Sequence, residues 1–236
     1  MQDNKQREML ERLRVHLANK TTDKSPHSLQ VPASHYVSDD QHEHELEKLF
    51  RKRPLLVALT PHIPDTGDYL THEAVDTSLL LVRDRDGNAR AYINACRHRG
   101  ARLAEGMGNK ATFSCPFHAW NWGLDGKIIA RPNSHEGFAA ADDRYDQLVE
   151  VTCYETAGLI FVLLEGDGIE AKVHDMMGAA LTELGHYDIA DMQYIDSRTT
   201  ELACNYKFFL DGFAESYHIP PLHKDSIHPF YYSNST

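Results

Sequence analysis

The chain has 236 residues, of which 42% are hydrophobic, enough to bury one sizeable core or a small domain beside part of a second. Its 24 Lys and Arg against 35 Asp and Glu leave a net charge of -11, which speaks against nucleic acid and anionic membrane surfaces as partners. No apolar run is long enough to span a bilayer and no signal-peptide pattern opens the chain, so the four cysteines are expected in the reducing cytoplasm, serving metal binding or catalysis.

The first predicted elements are two helices joined by a polar linker, over residues 1–50. Four apolar residues recur at helical spacing before the linker NKTTDKSPHS: Met9, Leu10, Leu13 and Leu17. A second helix is predicted to begin near Ser38, where Gln41 completes a capping box, and to end at Pro54. The residues it is expected to bury are Leu46, Leu49 and Phe50.

Short β-rich runs separated by turns then predict an all-β domain over residues 51–166. The runs are LLVAL, TSLLLV, ARAYIN, ATFSC, LVEVTCY and GLIFVLL. Asp86-Gly87 and Asp125-Gly126 are predicted to form hairpin turns, because glycine supplies the positive φ that such turns need.

Helical spacing returns after Gly166, which predicts a different domain over residues 167–236. Six apolar residues are expected on one helix face: Val173, Met176, Met177, Ala180, Leu181 and Leu184. MQYIDSRTTELAC is predicted to be a strand, and NYKFFLDGFAESYH a helix that Pro220 and Pro221 stop near Ile219. The chain ends soon after His223, so this domain is expected to be incomplete.

Two short cysteine and histidine pairs stand at the tips of consecutive predicted hairpins. Cys96 and His98 form a Cys-x-His pair, and Cys115 and His118 form a Cys-x-x-His pair. Two thiolates on one iron and two imidazoles on the other are the ligand set of a Rieske-type [2Fe-2S] cluster. The sequence therefore predicts such a cluster, held between two loops.

A structural zinc ion is the alternative for this ligand set, because two cysteines and two histidines also satisfy a tetrahedral ion. Zinc sites more usually present Cys-x-x-Cys pairs, which this sequence lacks. The order and spacing of the two pairs favour the iron–sulfur cluster. Visible absorption distinguishes the iron–sulfur cluster from a structural zinc ion, because a zinc site is colourless.

The segments around these pairs, NACRHRGARL and FSCPFHAWNWGLDGKI, resemble the Rieske domain of Rieske non-heme iron oxygenases. The resemblance extends upstream through HYVSDDQHEHELEKLF and PDTGDYLTHE, which are similar to the lead-in of the oxygenase α subunit. Respiratory Rieske proteins carry an extra disulfide, where this chain has Ala101 and Phe117. Ala119 stands where they place a hydroxyl donor, which predicts fewer hydrogen bonds to the sulfurs and a lower reduction potential. Trp120 is expected to pack over the cluster.

ESYHIPPLH resembles the family's acid-x-Tyr-His and final His, and this resemblance assigns His218 and His223 as ligands of a mononuclear ferrous iron. Such an iron binds two histidines and one carboxylate on one face and keeps its other positions open. By the resemblance, the third ligand is an Asp beyond residue 236, so the chain is expected to be a C-terminally truncated α subunit. Asp211 and Asp225 are nearer carboxylates, but neither is expected to replace it.

Glu215 lies three residues before His218, so a helix would bring both side chains to one face, where the carboxylate can orient the imidazole. From the residue alone, a solvated surface glutamate is the alternative. By the resemblance, this acid links the mononuclear iron of one subunit to a Rieske histidine of the next, here His118. Many relatives have Asp at this place, and the family's Glu-Asn is here Asp211-Gly212.

The resemblance implies an α+β protein: an all-β Rieske domain with N-terminal helices, then the beginning of a helix-grip catalytic domain. It implies a terminal oxygenase that receives electrons from NAD(P)H through a separate reductase or ferredoxin. The electrons pass from the [2Fe-2S] cluster to Fe(II), which uses O2 to hydroxylate a small organic molecule. Dihydroxylation of an aromatic ring is the expected reaction, and monooxygenation or demethylation of a quaternary amine is the alternative. The expected assembly is a homotrimer or a complex with a β subunit.

An electron carrier is the alternative from another functional class. A Rieske ferredoxin-like protein would bind one cluster and no mononuclear iron. Stand-alone ferredoxins of this kind are shorter and lack a helical acid-x-Tyr-His segment, which favours the oxygenase.

Overall fold

The computed structural model describes residues 3–24, 26–27, 29–133 and 145–230. The chain divides into two compact units, one of which is Glu43–Ser197. The other combines the described residues of Met1–His42 with those of Arg198–Thr236. Across the described ranges, none of the helices combines the length and the apolar character that crossing a bilayer requires.

The unit Glu43–Ser197 is built on β-strands, which confirms the predicted β-rich region. Its strands in the described ranges are β1 Leu55–Leu59, β2 Asp68–Ala74, β3 Thr77–Arg83, β4 Ala89–Ile93, β5 Met107–Asn109, β6 Phe113–Ser114, β7 Asn121–Trp122, β8 Ile128–Ala130, β9 Glu150–Thr156 and β10 Leu159–Leu163. One sheet has the order β1-β10-β9-β4-β3-β2-β5, and a smaller sheet has the order β6-β7-β8. Neighbouring strands pair antiparallel throughout.

Strand β3 shows why the apolar runs become central strands. Leu80 and Val82 pack into the core cluster that also contains Cys96 and Cys115. Leu79 and Leu81 pack into a second cluster. Successive side chains of a strand point to opposite faces, so a continuous apolar run is stable only where both faces are covered. The first of these clusters includes the two cysteines among its buried members.

Both predicted hairpin turns contain glycine in the left-handed region, as expected. Gly87 has φ +84° and Gly126 has φ +75°. At Gly126 the absence of a side chain also matters for packing, because a Cβ there would lie 2.6 Å from Cε1 of Tyr92. Asp84 accepts hydrogen bonds from the backbone N–H groups of Asp86 and Asn88 at 2.9 and 2.8 Å, which closes the first turn.

Within the described ranges, each of the two units contains helices. The α-helices of the described ranges are α1 Asp3–Asn19, α2 Ser34–Val37, α3 Asp39–Glu45, α4 Ile169–Met177, α5 Ala179–Leu184, α6 Tyr206–Phe213 and α7 Ile219–Leu222. A π-helical turn, Leu46–Phe50, continues α3, and 3-10 turns cover Thr60–His62, Gly185–Tyr187, Ile189–Asp191 and His228–Phe230.

The predicted second helix is confirmed at its start and wrong in part of its packing. Ser38 Oγ accepts a hydrogen bond from the Gln41 N–H at 3.3 Å, as an N-cap does. However, Leu49 is 42% exposed, whereas Glu45 is buried. The helix changes from α to π hydrogen bonding after Glu45, and the wider turn rotates the following residues away from the face that the sequence spacing predicts.

Two predictions for the C-terminal segment are wrong. Residues 192–204 form no strand and have no neighbouring strand in the described ranges, and Ile195 is 89% exposed. A β-strand depends on a hydrogen-bonded neighbour, which local sequence does not supply. Helix α6 ends at Phe213, well before Ile219, and Pro220 and Pro221 lie inside α7. They are tolerated in its first turn because N–H groups there need no helical partner.

An ion pair joins strands β3 and β9, which lie on either side of β4 in the larger sheet. Arg83, 5% exposed, donates to both carboxylate oxygens of Glu155, at 2.6 and 2.9 Å. It also donates to the backbone oxygens of Ile63 and Gly87, at 2.9 and 3.0 Å. Burial raises the pKa of Glu155, but hydrogen bonds from Arg83 and Thr60 outweigh it and hold the pKa below its usual value. The charged pair therefore stabilises the fold at neutral pH, and this stabilisation is lost as pH falls through that lowered pKa.

We expect Glu155→Gln to reduce the free energy of unfolding by about 2 kcal/mol, because it leaves a buried guanidinium without its counter-charge. Urea titration at neutral pH measures the loss. Glu150→Gln is the matched control on the same strand: its partner Arg90 is bound at 3.0 Å in an exposed ion pair, worth about 0.5 kcal/mol or less. Equal losses for the two variants would contradict the assignment of Glu155 as the structural partner.

Candidate metal centres

The first ligand pair lies on a closed loop after β4. The Cys96 N–H donates to the Ala101 oxygen at 2.8 Å, and the Gly100 N–H donates back to the Cys96 oxygen at 2.8 Å. Gly100 has φ +75°, a backbone conformation that glycine adopts without strain. His98 projects from the middle of this loop, so its position relative to Cys96 is fixed by backbone hydrogen bonds.

The second ligand pair lies on a loop with the same hydrogen-bond pattern, between β6 and β7. The Cys115 N–H donates to the Trp120 oxygen at 2.8 Å, and the Ala119 N–H donates to the Cys115 oxygen at 3.0 Å. Ala119 has φ +56°, in the position that Gly100 takes in the first loop. The two loops are thus equivalent in backbone conformation, and the second accepts an alanine where the first has glycine.

The loops bring like ligands together. The side chains of Cys96 and Cys115 are buried and belong to the same core cluster. The ring centroids of His98 and His118 are 4.5 Å apart, with His98 half-buried and His118 exposed. The two thiols therefore lie in the core and the two imidazoles lie nearer the surface, an arrangement that fits two metal positions, one with thiolate and one with imidazole ligands.

The local electrostatics differ at the two ends of this site. Burial raises the pKa of the Cys96 thiol, and the adjacent Cys115 adds to the effect. Burial lowers the pKa of His98, helped by the charges of His118 and Arg99. The imidazole is thereby kept neutral, which is its metal-binding form, while a bound metal would be needed to hold the buried thiols as thiolates.

Trp120 packs against the outward histidine end of the site. Its ring stacks on His98 with centroids 4.8 Å apart and planes within 9°. The guanidinium of Arg131 lies 4.7 Å from the Trp120 ring centroid on an aromatic face. This stack limits the rotation of the His98 ring, so Trp120 positions a candidate ligand.

Asn94, which the sequence did not identify as a candidate, has a buried side chain that supports the chain just after the first loop. Its Nδ2 donates to the Ala104 oxygen at 2.9 Å, and its Oδ1 accepts from the Leu103 N–H at 3.0 Å. Asn94 is 2% exposed. In the sequence, Asn94 is marked only as a polar residue at the end of an apolar run. Its role depends on contacts with residues nine and ten positions later in the chain.

The second group of candidate ligands follows α6. The Asn205 side chain caps this helix by accepting from the Lys207 N–H at 3.0 Å. In α7, the Leu222 N–H donates to the His218 oxygen and the His223 N–H to the Ile219 oxygen, both at 2.9 Å. This turn places the His218 and His223 ring centroids 5.3 Å apart. The two imidazoles can therefore approach one metal ion together.

Glu215 contacts His218 as expected, although by a turn after α6 and not along a helix. Its Oε1 lies 2.5 Å from His218 Nδ1, and its Oε2 accepts from the backbone N–H groups of Tyr217 and His218. The hydrogen bond with His218 is the main reason that the pKa of Glu215 lies below its usual value. Since Nδ1 is engaged, His218 presents Nε2 as its free nitrogen.

Neither nearby aspartate completes this group. Asp211 accepts a hydrogen bond from the Tyr36 hydroxyl at 2.6 Å, and Asp225 is exposed beside Lys224. Over the described ranges, no three His, Cys, Asp or Glu side chains converge on a position for a single metal ion. His218 and His223 are thus brought together with an orienting carboxylate, and the described residues contribute no third ligand.

The two ligand groups fall in segments that match two family models. Residues 54–155 match the Rieske [2Fe-2S] domain. Residues 189–235 match the ring hydroxylating alpha subunit (catalytic domain). The first range contains both Cys and His loops, and the second contains the segment from α6 to α7.

Individual relatives match across both segments. The carnitine monooxygenase oxygenase subunit of Escherichia coli (strain K12) is 34% identical over 197 residues, which are 82% of this chain and 52% of that protein. A quaternary ammonium Rieske monooxygenase solved with L-carnitine superposes with a TM-score of 0.74 at 28% identity, covering 82% of this chain and 55% of that one. Naphthalene 1,2-dioxygenase from Rhodococcus sp. bound to indole superposes with a TM-score of 0.74 at 25% identity, covering 97% and 51%.

The chain spans about half the length of these relatives. The described residues of this part contain an antiparallel sheet with both Cys and His loops, followed by the segment that matches the catalytic domain of the α subunit. A Rieske domain match and a ring-hydroxylating α-subunit match, together with relatives that align along most of this chain, show that it belongs to the Rieske non-heme iron oxygenase α subunits.

Proposed function

We propose that the protein is the terminal oxygenase component of a Rieske monooxygenase that acts on a quaternary amine. The observation that carries this is the 34% identity with a carnitine monooxygenase oxygenase subunit along 82% of the chain. In the structural superpositions, identity is 28% with the quaternary ammonium Rieske monooxygenase and 25% with the Rhodococcus naphthalene 1,2-dioxygenase. The aromatic substrate and the dioxygenase reaction expected from the sequence are not supported by these matches, and the quaternary amine becomes the favoured substrate class.

The ligand assignments follow the pairing of like side chains. Cys96 and Cys115 would bind one iron of the [2Fe-2S] cluster, and His98 and His118 the other. The adjacent buried thiols and adjacent imidazoles support this set. In the full-length protein, His218 and His223 would bind the mononuclear iron together with a third ligand from outside the residues described.

With both metal groups bound, a reductase or ferredoxin would supply two electrons from NAD(P)H. These electrons and two protons would reduce O2, so that one oxygen atom is inserted into a C–H bond of the amine and the other leaves as water. Within this chain, Glu215 holds the Nδ1 side of His218 and so directs its Nε2 toward the metal. His118 is exposed, which supports a path for electrons leaving the Rieske domain through its imidazole. We extend the proposal to a homo-oligomer in which Glu215 of one copy approaches His118 of the next.

Substrate oxidation by the full-length protein with its reductase tests this function. We expect L-carnitine, choline or glycine betaine to give a hydroxylated or demethylated product in step with NAD(P)H consumption. Indole is the comparison substrate, because it tests the aromatic alternative with the same proteins. Coupled oxidation of indole without oxidation of any quaternary amine would reject the proposed substrate class and keep the family assignment.

A further inference from the structure

Trp122 lies beside the candidate cluster ligands without a role in the ligand set. It occupies β7, where it pairs with Phe113 of β6, two residues before Cys115. Its side chain is fully buried and belongs to the core cluster that contains Cys96 and Cys115. The strand pairing positions its backbone, and burial holds the indole in the same cluster as the two cysteines.

The indole N–H of Trp122 is a buried donor that needs an acceptor. Within the described ranges, Nε1 meets no partner with hydrogen-bond geometry. Indole can only donate, and a buried N–H without an acceptor is unfavourable. The donor therefore lies among the buried side chains that include both candidate sulfur ligands, Cys96 and Cys115.

We propose that Trp122 Nε1–H donates a hydrogen bond to a cysteine sulfur of the bound cluster, Cys96 or Cys115, and that this bond raises the reduction potential of the cluster. The inference rests on the proposed ligand roles of Cys96 and Cys115. An iron-bound thiolate carries more negative charge than a thiol and is the better acceptor. The added electron of the reduced cluster increases that charge, so the hydrogen bond stabilises the reduced state more than the oxidised one.

The sequence predicts a lower reduction potential from Ala119, because alanine lacks the hydroxyl donor that respiratory Rieske proteins place near the cluster. Trp122 would supply a sulfur-directed donor from the next strand. The reduction potential of the cluster would then depend on the Trp122 indole. Substitution of Trp122 would change this potential without changing the four ligands.

Trp122→Phe tests the proposal, because phenylalanine keeps a buried ring and removes the N–H. We expect the cluster to assemble with unchanged iron and sulfide content and the midpoint potential to fall. The expected size is about a tenfold change in the oxidised-to-reduced ratio at a fixed applied potential, which is about 59 mV for a one-electron couple. An unchanged potential in a fully loaded variant would overturn the proposal.

A second measurement covers the case in which Trp122→Phe does not load. In wild-type protein with isotope-labelled indole nitrogen, pulsed EPR of the reduced cluster should detect that nitrogen and its exchangeable proton. Trp120→Phe is the matched control, because it removes the neighbouring indole, whose ring stacks on His98, and should keep the signal. Absence of the signal in wild type with an intact cluster overturns the role of Trp122 alone. Absence of acid-labile sulfide overturns the cluster assignment as well.

Discussion

Replacing His98 with alanine should abolish the brown colour of the purified protein while its secondary structure persists. The imidazole is one of two proposed nitrogen ligands, and the remaining side chains offer no replacement on the closed loop between Cys96 and Ala101. That loop is held by its own backbone hydrogen bonds and by the side chain of Asn94, so loss of the ligand should not unfold it. We expect near-complete loss of visible absorption, of acid-labile sulfide and of the EPR signal of the reduced protein.

His72→Ala is the control for this experiment. His72 is a half-buried histidine on β2 in the same unit, and burial lowers its pKa, as it does for His98. Its variant should keep the full absorption. Far-UV circular dichroism checks that both variants are folded. Unchanged absorption of His98→Ala would remove His98 from the ligand set, and a colourless wild-type protein containing zinc would favour the structural zinc alternative.

Much of the strand arrangement follows from the sequence because apolar runs report burial. LLVAL became β1 with its bounds at Leu55–Leu59, and GLIFVLL became the fully buried β10. Strands β5, β7 and β8 have three residues or fewer, too few for a period to be seen. The strand predicted within residues 192–204 does not form, although its local sequence is suitable, because it has no neighbouring strand in the described ranges.

The candidate cluster ligands were predictable because their spacing is itself the signal. Their supporting contacts were not, because those contacts join residues far apart in the chain or depend on backbone conformation. Asn94 reaches Ala104, and Ala119 adopts the left-handed conformation of a glycine. The contact between Glu215 and His218 was expected from helical spacing and is made instead by a turn, since either geometry brings residues three apart together.

In the full-length protein, Glu215→Gln should leave both metals bound and reduce coupled substrate oxidation by about two orders of magnitude. Glutamine preserves the size of the side chain and can still accept a hydrogen bond from His218 Nδ1. It removes the negative charge that makes His218 a more basic ligand and that we propose links its imidazole to His118 of a neighbouring copy. We would measure O2 reduction and product formation in a single turnover, together with the iron and sulfide content. Loss of product with full metal content indicates lost electron transfer, whereas loss of iron indicates lost metal binding.

Asp225→Asn is the matched control for the charge change. Asp225 lies two residues after His223 but is exposed beside Lys224, so its variant should retain turnover. If Asp225→Asn lost iron instead, Asp225 would be the missing third ligand and the assignment of that ligand to a later segment would be wrong. Normal coupled turnover of Glu215→Gln would dismiss the bridge and leave Glu215 as a surface carboxylate. A full-length protein with a cluster but no mononuclear iron would favour the electron carrier, because that function needs neither His218 nor His223.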